Sequence, residues 1–308
     1  MIIDFHTHVH TPEDAAKPFW GGRCPMTIDN ALAAMDGAGI DMTVISNPLH
    51  ELRDMKPAEQ RDTVRKQNKF LAEQVAKNPK RFAALASSAP SGGDAFLKDL
   101  EEAVKDGLRG AIVTASLQGA YPDDDSAKPF FKLATDLDIP VFIHPPSVGF
   151  GEERMKDYRL ASSVGRPFDN CLALSRLIVR GIFEDFPTLK LVGSHLGGGI
   201  CEIIGRMDYA YELQDEAYFL GSYAPMRIKK KPSEYLKMMY LDSVSYHVPA
   251  ARCALESVGV DHFVFGTDAP PLTVLKPRGL KLIDDLNLSA IDKQKVLAGN
   301  AKRLLKLH

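Results

Sequence analysis

Histidine side chains close to an apolar run are the first sign of chemistry in this sequence. His6 and His8 flank a single threonine in the N-terminal stretch MIIDFHTHVH, directly after a short apolar run. Residues two apart on a β-strand share one face of the sheet, so two imidazoles at this spacing can be directed at one ion. The pair therefore belongs either to an exposed N-terminal segment without a chemical function or to a metal site.

Three further side chains of this kind end other apolar runs. His144 ends PVFIH, His195 ends LKLVGSH and Asp268 ends HFVFGTD. One histidine at a strand end is more often a hydrogen-bonded structural residue than a ligand. A histidine pair together with further histidines and a carboxylate at separate strand ends is a poor fit to chance placement. We therefore predict a metal site where these strands end.

The donor types indicate which ion is bound and what it would do. Imidazole nitrogens with one carboxylate suit Zn²⁺ best, with iron, manganese, cobalt and nickel as alternative occupants. An ion with an open coordination position lowers the pKa of bound water toward neutrality or polarises a substrate oxygen. Barrels that hold two ions often bridge them with a carboxylated lysine on strand four, but RFAALAS and GAIVT contain no interior lysine. We therefore expect one divalent ion.

His195 has a distinct setting because Gly197, Gly198 and Gly199 follow it. These glycines either make a tight turn from strand to helix or also bring backbone amides to an anion. We favour His195 as an acid–base group or as a second group beside the metal, and Asp268 as the other residue that could take a proton.

Eight short apolar runs must position these side chains. They lack clean alternation, as expected for parallel strands covered on both faces, and segments with helical periodicity lie between them. Alternation of eight strands with helices predicts one α/β domain, residues 1–308, folded as a (β/α)₈ TIM barrel. The predicted strands are Ile2–Phe5, Met42–Ser46, Arg81–Ser87, Gly110–Thr114, Pro140–His144, Leu189–His195, Met238–Ser243 and His262–Asp268.

Two segments are too long to be tight connections between a strand and a helix. They are Pro145–Asn170, after strand five, and the aromatic-rich Tyr209–Ser233, after strand six. Insertions at the carboxyl end of barrel strands commonly cover the active site or build a subunit interface. We therefore expect active-site loop insertions at these two places.

Composition argues against several other classes of function. The 38 basic and 40 acidic residues give a formal charge of −2, which favours a small-molecule partner over nucleic acid or a membrane. Cys24, Cys171, Cys201 and Cys253 are scattered without a CxxC pair, so we expect reduced thiols. The sequence shows no signal-peptide pattern and no apolar stretch of about 20 residues. We therefore expect a cytoplasmic protein.

The motifs around these residues resemble those of a known family. In order along the chain they are D-F-H-T-H, V-F-I-H-P, R-L-I-x-x-G-I-F-E-D-F-P-x-L-K, S-H-L-G-G-G, F-G-T-D-A-P and L-A-G-N-A. Together they resemble the amidohydrolase-2 family, the branch of the amidohydrolase superfamily that includes aminocarboxymuconate semialdehyde decarboxylase. The resemblance extends from residue 2 to about residue 305.

This resemblance implies a distorted TIM barrel that holds one divalent ion, usually zinc. The counterparts of His6, His8, His144 and Asp268 are its ligands in the family. The resemblance also implies that His195 lies beside the metal-bound water and handles protons. By the same resemblance, Arg206 in I-I-G-R-M-D reaches a substrate carboxylate, in some members across a dimer interface, so we expect a homodimer or a higher homo-oligomer.

Other polar residues in predicted loops on the active-site side are candidates for substrate contact. Each could equally be a loop or packing residue. Trp20, Arg166 in V-G-R-P-F-D and His247 in D-S-V-S-Y-H are our candidates, beside His50 and Arg53. His10 is expected to be a loop residue outside the cluster.

Two departures from the family pattern bear on the substrate. The aminocarboxymuconate enzymes carry an arginine just before an M-D-x-x-G turn, whereas this chain has alanine at position 34. They also place a tryptophan in the loop after the third metal histidine, and Pro145–Asn170 contains none. We therefore do not predict that particular substrate.

The sequence as a whole predicts a mononuclear metal-dependent enzyme that acts on a small carboxylated substrate. Non-oxidative decarboxylation of an aromatic or muconate-type acid is the leading hypothesis. Hydrolysis of a lactone, an amide or a C–C bond of a dicarbonyl is the alternative, and hydration is a third, because the same ligand set serves all three. A purely structural metal site fits poorly, since it needs neither an open position nor spare acid–base groups.

Overall fold

A computed structural model describes residues 1–17, 26–146, 149–216, 227–269 and 275–307. Within these residues the strands are short and all of them are parallel. They are β1 (Ile3–His8), β2 (Met42–Ser46), β3 (Phe82–Ala84), β4 (Ala86–Ser87), β5 (Ala111–Thr114), β6 (Pro140–His144), β7 (Lys190–Gly193), β8 (Tyr240–Asp242) and β9 (Phe263–Val264).

Helices follow the strands, as the alternating pattern predicts. In chain order they are α1 (Pro12–Ala15), α2 (Ile28–Ala38), α3 (Pro57–Lys77), α4 (Asp94–Lys105), α5 (Lys128–Asp136), α6 (Arg166–Arg180), α7 (Ile182–Asp185), α8 (Ile200–Glu212), α9 (Pro232–Leu236), α10 (Val248–Val258), α11 (Leu275–Asp285), α12 (Ala290–Gln294) and α13 (Asn300–Leu305). None of the helices in the described part of the chain combines the length and the apolar character needed to cross a membrane.

The strands occupy eight positions around a barrel. The hydrogen-bonded order is β1-β2-β3 and then β4 to β9, and β3 and β4 are two parts of the one strand predicted over Arg81–Ser87. At the break between them, the Leu85 amide donates to the Ile45 carbonyl at 3.1 Å. The Phe5 amide donates to the Phe265 carbonyl at 2.8 Å, which joins the chain after β9 to β1. The predicted (β/α)₈ architecture is therefore confirmed.

Both faces of the strands are buried, which explains why the sequence lacks clean alternation. One apolar cluster fills the barrel interior with side chains from β1, β2, β3, β5, β6, β7 and β9, and α13 packs against it through Ala301, Leu304 and Leu305. A larger cluster lies between the strands and the surrounding helices. Within the barrel, the rings of Phe5 and Phe142 meet edge to face at 5.4 Å.

Several predicted strands, β7 and β9 among them, are shorter than expected. β7 ends at Gly193 and β9 at Val264, so His195 and Asp268 lie in the turns that follow these strands. Both residues have positive φ angles, 55° and 54°. A left-handed backbone cannot continue a β-strand, so neither strand can extend through His195 or Asp268.

The first predicted insertion precedes helix α6, whereas the second follows helix α8. The first runs from β6 to α6, and because α6 begins at Arg166 the last five residues predicted as loop form its first turn. The second follows α8, and residues 217–226 lie outside the described part. In its described end, the Arg227 amide donates to the Val179 carbonyl in the last turn of α6. This end therefore lies away from the strand ends that carry the histidines.

Candidate metal centre

Four of the predicted side chains converge at the carboxyl end of the barrel. His6 Nε2 lies 3.0 Å from His8 Nε2, which lies 3.1 Å from His144 Nε2. Asp268 Oδ1 lies 3.2 Å from the Nε2 atoms of both His6 and His8, and 4.0 Å from His144 Nε2. Donors bound to one tetrahedral zinc at about 2.1 Å stand about 3.4 Å apart. The spacing therefore fits four donors around one ion.

Each imidazole in the cluster is oriented by a partner on its other nitrogen. His6 Nδ1 lies 2.6 Å from Asp242 Oδ2, and His8 Nδ1 lies 3.3 Å from Ser46 Oγ. His144 Nδ1 donates to the Pro145 carbonyl at 2.9 Å. Such partners fix the tautomer and leave Nε2 free to bind metal. Sequence reasoning missed Asp242. Its position near the end of the seventh predicted strand, as for the other site residues, could have indicated it.

The bottom of the site is apolar. The His6 ring contacts the ring of Phe142, with centroids 4.9 Å apart and the planes nearly perpendicular. Phe142 belongs to the barrel interior. This apolar contact lies below the cluster, so we expect a ligand to enter from the carboxyl end of the barrel, where active sites of this fold lie.

His195 lies on the open side of the cluster. Its Nε2 is 3.3 Å from Asp268 Oδ2, and its Nδ1 is 2.9 Å from Ser194 Oγ. Donor atoms of His6, His144, His195 and Asp268 all lie within 4.8 Å of one another. His8 Nε2 lies 3.0, 3.1 and 3.2 Å from donor atoms of His6, His144 and Asp268, so His8 also fits a donor set, with His195 beside it.

The electrostatics of the cluster favour a positive charge at its centre. Burial lowers the pKa of His6, but Asp268 and Asp242 outweigh burial and raise this pKa to about 10. Burial lowers the pKa of His8 to about 4, and it lowers the pKa of His144 well below its usual range. Burial raises the pKa of Asp268, but His6 and the other histidines hold it well below the usual range. The carboxylates thus attract either a proton on His6 or a metal ion.

The glycine run after His195 serves close packing. A Cβ atom on Gly198 would lie 1.9 Å from the carbonyl oxygen of Pro167, and its φ is +69°. The same turn is tied to α6, because Asn170 Nδ2 donates to Ser194 Oγ at 2.6 Å. Only glycine fits this position, so the interpretation of the run as a tight turn is confirmed for Gly198.

Arg166 and His50 lie near the cluster with unused hydrogen-bonding atoms. The His50 ring lies 5.6 Å from the ring of His144, and after burial Arg166 is the main influence that lowers the pKa of His50. Nε of Arg166 and Nδ1 of His50 are buried and have no hydrogen-bond partner among the residues that the structure describes. An unsatisfied buried donor is costly unless a ligand takes it.

The other sequence candidates are placed differently. Arg206 is exposed on α8, and His247 is exposed just before α10. Tyr246, which sequence reasoning missed, is half-buried and donates its hydroxyl to the Thr267 carbonyl, next to Asp268. His10 lies 3.0 Å from Asn47 Nδ2 and not in the cluster, as expected. Trp20 lies outside the described residues.

A parallel α/β barrel with imidazoles and a carboxylate gathered at its carboxyl end defines the class of metal-dependent barrel enzymes. The model of the amidohydrolase family Amidohydro_2 matches residues 3–307. The chain therefore belongs to the amidohydrolase family, and the resemblance drawn from its motifs is confirmed.

Several relatives are named for decarboxylation. The chain is 31% identical over 255 residues to a 2-amino-3-carboxymuconate-6-semialdehyde decarboxylase of Dictyostelium discoideum, covering 82% of this chain and 68% of that protein. The fold matches the crystal structure of 5-carboxyvanillate decarboxylase from Sphingomonas paucimobilis with a TM-score of 0.87 and 23% identity, covering 100% and 99% of the two chains. It also matches a dihydroxybenzoic acid decarboxylase from Polaromonas, solved with manganese and 2-nitroresorcinol, with a TM-score of 0.84 and 24% identity, covering 99% and 97%.

Proposed function

We propose that this chain is a metal-dependent carboxy-lyase that removes CO₂ from a small carboxylated aromatic or muconate-type compound. The observation that carries the proposal is the position of His195, whose Nε2 lies 3.3 Å from Asp268 beside a complete set of metal donors. A proton donor beside such a donor set is what protonation of a carbon at a metal site requires. The names of the relatives support the reaction class.

His6, His8, His144 and Asp268 would hold the ion. The donor set fits, because the Nε2 atoms of three buried imidazoles and one carboxylate oxygen face one point. We propose zinc from this donor chemistry, and manganese is the competing occupant because the Polaromonas relative holds it. When bound, such an ion polarises substrate oxygens and withdraws electron density from the bond that breaks.

His195 would supply the proton. In decarboxylation the bond between the carboxylate carbon and the ring or chain carbon breaks, and its electron pair stays on the latter. A proton from His195 Nε2 then bonds to that carbon, while CO₂ leaves. Ser194 Oγ, 2.9 Å from His195 Nδ1, keeps the ring oriented for this transfer. Asp268 Oδ2 faces the same nitrogen and would orient its N–H, and a proton from solvent would restore His195 after turnover.

The substrate would be held by cationic and aromatic side chains at the carboxyl end of the barrel. We propose that Arg166 binds an anionic group of the substrate, because its buried Nε has no acceptor among the described residues. Arg206 is exposed on α8 and would contribute only to the site of a second subunit, so its role depends on a homodimer or a higher oligomer. Trp20 and His247 stay candidates for substrate contact.

The cellular setting is also a proposal. Of the four cysteines expected to be reduced, Cys171, Cys201 and Cys253 are free, and Cys24 lies outside the described residues. Reduced thiols are typical of the cytoplasm, and we keep the cytoplasmic assignment on this ground.

The reaction is tested with metal-loaded protein and a panel of hydroxybenzoic, dicarboxylic aromatic and muconate-type acids. Release of CO₂ in step with formation of the decarboxylated product is the expected result. The variant His195→Asn, with activity lowered by at least about 100-fold, and inactive chelator-treated protein serve as controls. Cleavage or hydration of a substrate without CO₂ would instead indicate the hydrolase or hydratase and would overturn the carboxy-lyase proposal.

A further inference from the structure

A fully buried ion pair lies next to the chain segments that carry the metal donors. Lys276 Nζ, on the first turn of α11, lies 2.6 Å from Oδ2 of Asp4 on β1, and both side chains are 0% exposed. The cost of burying two charges is large and is recovered only where geometry and hydrogen bonding are good. The question is what this pair does for the protein.

The lysine connects two segments that are distant in sequence. Beyond Asp4, its ammonium group lies 3.1 Å from Thr7 Oγ1 and 3.5 Å from Thr267 Oγ1. Thr7 stands between His6 and His8, and Thr267 directly precedes Asp268. Lys276 therefore binds β1 and the turn after β9 at once.

The carboxylate of Asp4 holds the backbone of the same two segments. Its Oδ1 accepts the amide of His6 at 3.1 Å and the amide of Thr267 at 3.0 Å. Its Oδ2 accepts the Thr267 hydroxyl at 2.6 Å and the Thr7 hydroxyl at 3.1 Å. Among the described residues, no buried side-chain polar atom of Asp4, Thr7, Thr267 or Lys276 lacks a hydrogen-bond partner, and a fully paired network of this kind is rigid.

The backbone needs this support because it is irregular on both sides. The register between β1 and β2 shifts between Asp4 and Thr7, as at a β-bulge, and the amide that Asp4 accepts lies within this interval. On the other side, Asp268 has a φ of 54°, which a residue with a side chain adopts at a cost. The Asp268 amide donates to the His6 carbonyl at 2.8 Å, so the two irregular segments are in direct contact.

We propose that Lys276 and Asp4 are positioning residues that set the spacing between the β1 histidines and Asp268, and thereby the strength and geometry of metal binding. The inference rests on the metal site of the proposed function. Neither residue is among the four proposed ligands. A purely structural ion pair would stabilise the fold but would leave the metal affinity of the folded protein unchanged.

The test measures metal binding in folded variants. Zn²⁺ affinity is determined by competition with a chelating indicator, and Co²⁺ is used for its visible absorption spectrum. We expect Lys276→Met to weaken Zn²⁺ binding by about 10- to 100-fold, the usual effect of losing a partner outside the ligand shell, and to shift the Co²⁺ bands. The double variant Asp4→Asn/Lys276→Met leaves no unpaired buried charge, so it should regain thermal stability but not the affinity or the spectrum.

Two further variants make the result decisive. Lys281→Met removes an exposed lysine of the same helix, paired with Asp285 at 2.8 Å, and should bind both metals as the wild type does. Thr267→Val keeps the ion pair and the shape of the side chain, and it should weaken Zn²⁺ binding even if Lys276→Met does not fold. Wild-type affinity and spectrum in both the double variant and Thr267→Val would overturn this inference alone. Absence of metal binding by the wild type would overturn the proposed function as well.

Discussion

The two oxygens of Asp268 face different histidines. Oδ1 lies 3.2 Å from His6 Nε2 among the metal donors, whereas Oδ2 lies 3.3 Å from His195 Nε2 on the open side of the cluster. One carboxylate thus joins the group that would hold the ion to the group that would move the proton. Such a link would let one aspartate both bind the ion and orient the imidazole of His195.

Removal of a cluster histidine should abolish metal binding. We expect His8→Ala to lower Zn²⁺ affinity by at least about 100-fold, because loss of a ligand exceeds the effect of losing an outer partner. The matched control is His10→Ala, which removes a histidine of the same segment whose ring faces Asn47. Elemental analysis of both purified variants checks this, and equal metal content in the two would contradict the proposed site.

Metal binding should strengthen with pH. In the metal-free protein the pKa of His6 is about 10 and that of His8 is about 4, so near neutral pH only His6 carries a proton that the ion must displace. One displaced proton predicts an affinity for Zn²⁺ that rises about tenfold per pH unit between pH 6 and 8. Calorimetry in buffers of different ionisation enthalpy counts the released proton. An affinity independent of pH would show that His6 is neutral before binding.

Replacement of His195 should separate chemistry from metal binding. We expect His195→Asn to lower kcat by about 100- to 10,000-fold, the usual contribution of a positioned acid or base, while the metal content stays at the wild-type level. Single-turnover rates and elemental analysis of the same preparation check this. Loss of the metal together with activity would instead identify His195 as a ligand.

Arg166 should control affinity for the substrate. A charged hydrogen bond contributes about 1.5–3 kcal/mol, so Arg166→Met should lower kcat/KM by roughly 10- to 150-fold, with most of the change in KM. Arg159→Met, an exposed arginine in the same insertion, is the control and should leave both constants unchanged. Unaltered KM in Arg166→Met would exclude the proposed contact.

The larger features of the fold followed from local pattern. Apolar runs without alternation predicted strands buried on both sides, and Arg81–Ser87 was predicted as one strand where the structure has β3 and β4. Turn geometry is less accessible: β7 and β9 end before His195 and Asp268, and the positive φ angles of these two residues are not revealed by residue type alone. Likewise, the sequence predicts His247 near the site, but His247 is exposed and its neighbour Tyr246 bonds Thr267 beside Asp268, since the direction of a loop depends on packing.

The sequence by itself determined which side chains meet, because a barrel of parallel strands brings the ends of all its strands to one place whatever their separation along the chain. His6, His144 and Asp268 could be grouped on that ground alone. Only the tertiary structure decided how they are oriented. The partners that turn each Nε2 inward and fix the backbone, such as Asp242 and Lys276, come from elements far along the chain. Their contacts depend on strand register and helix packing, which no local pattern of residues encodes.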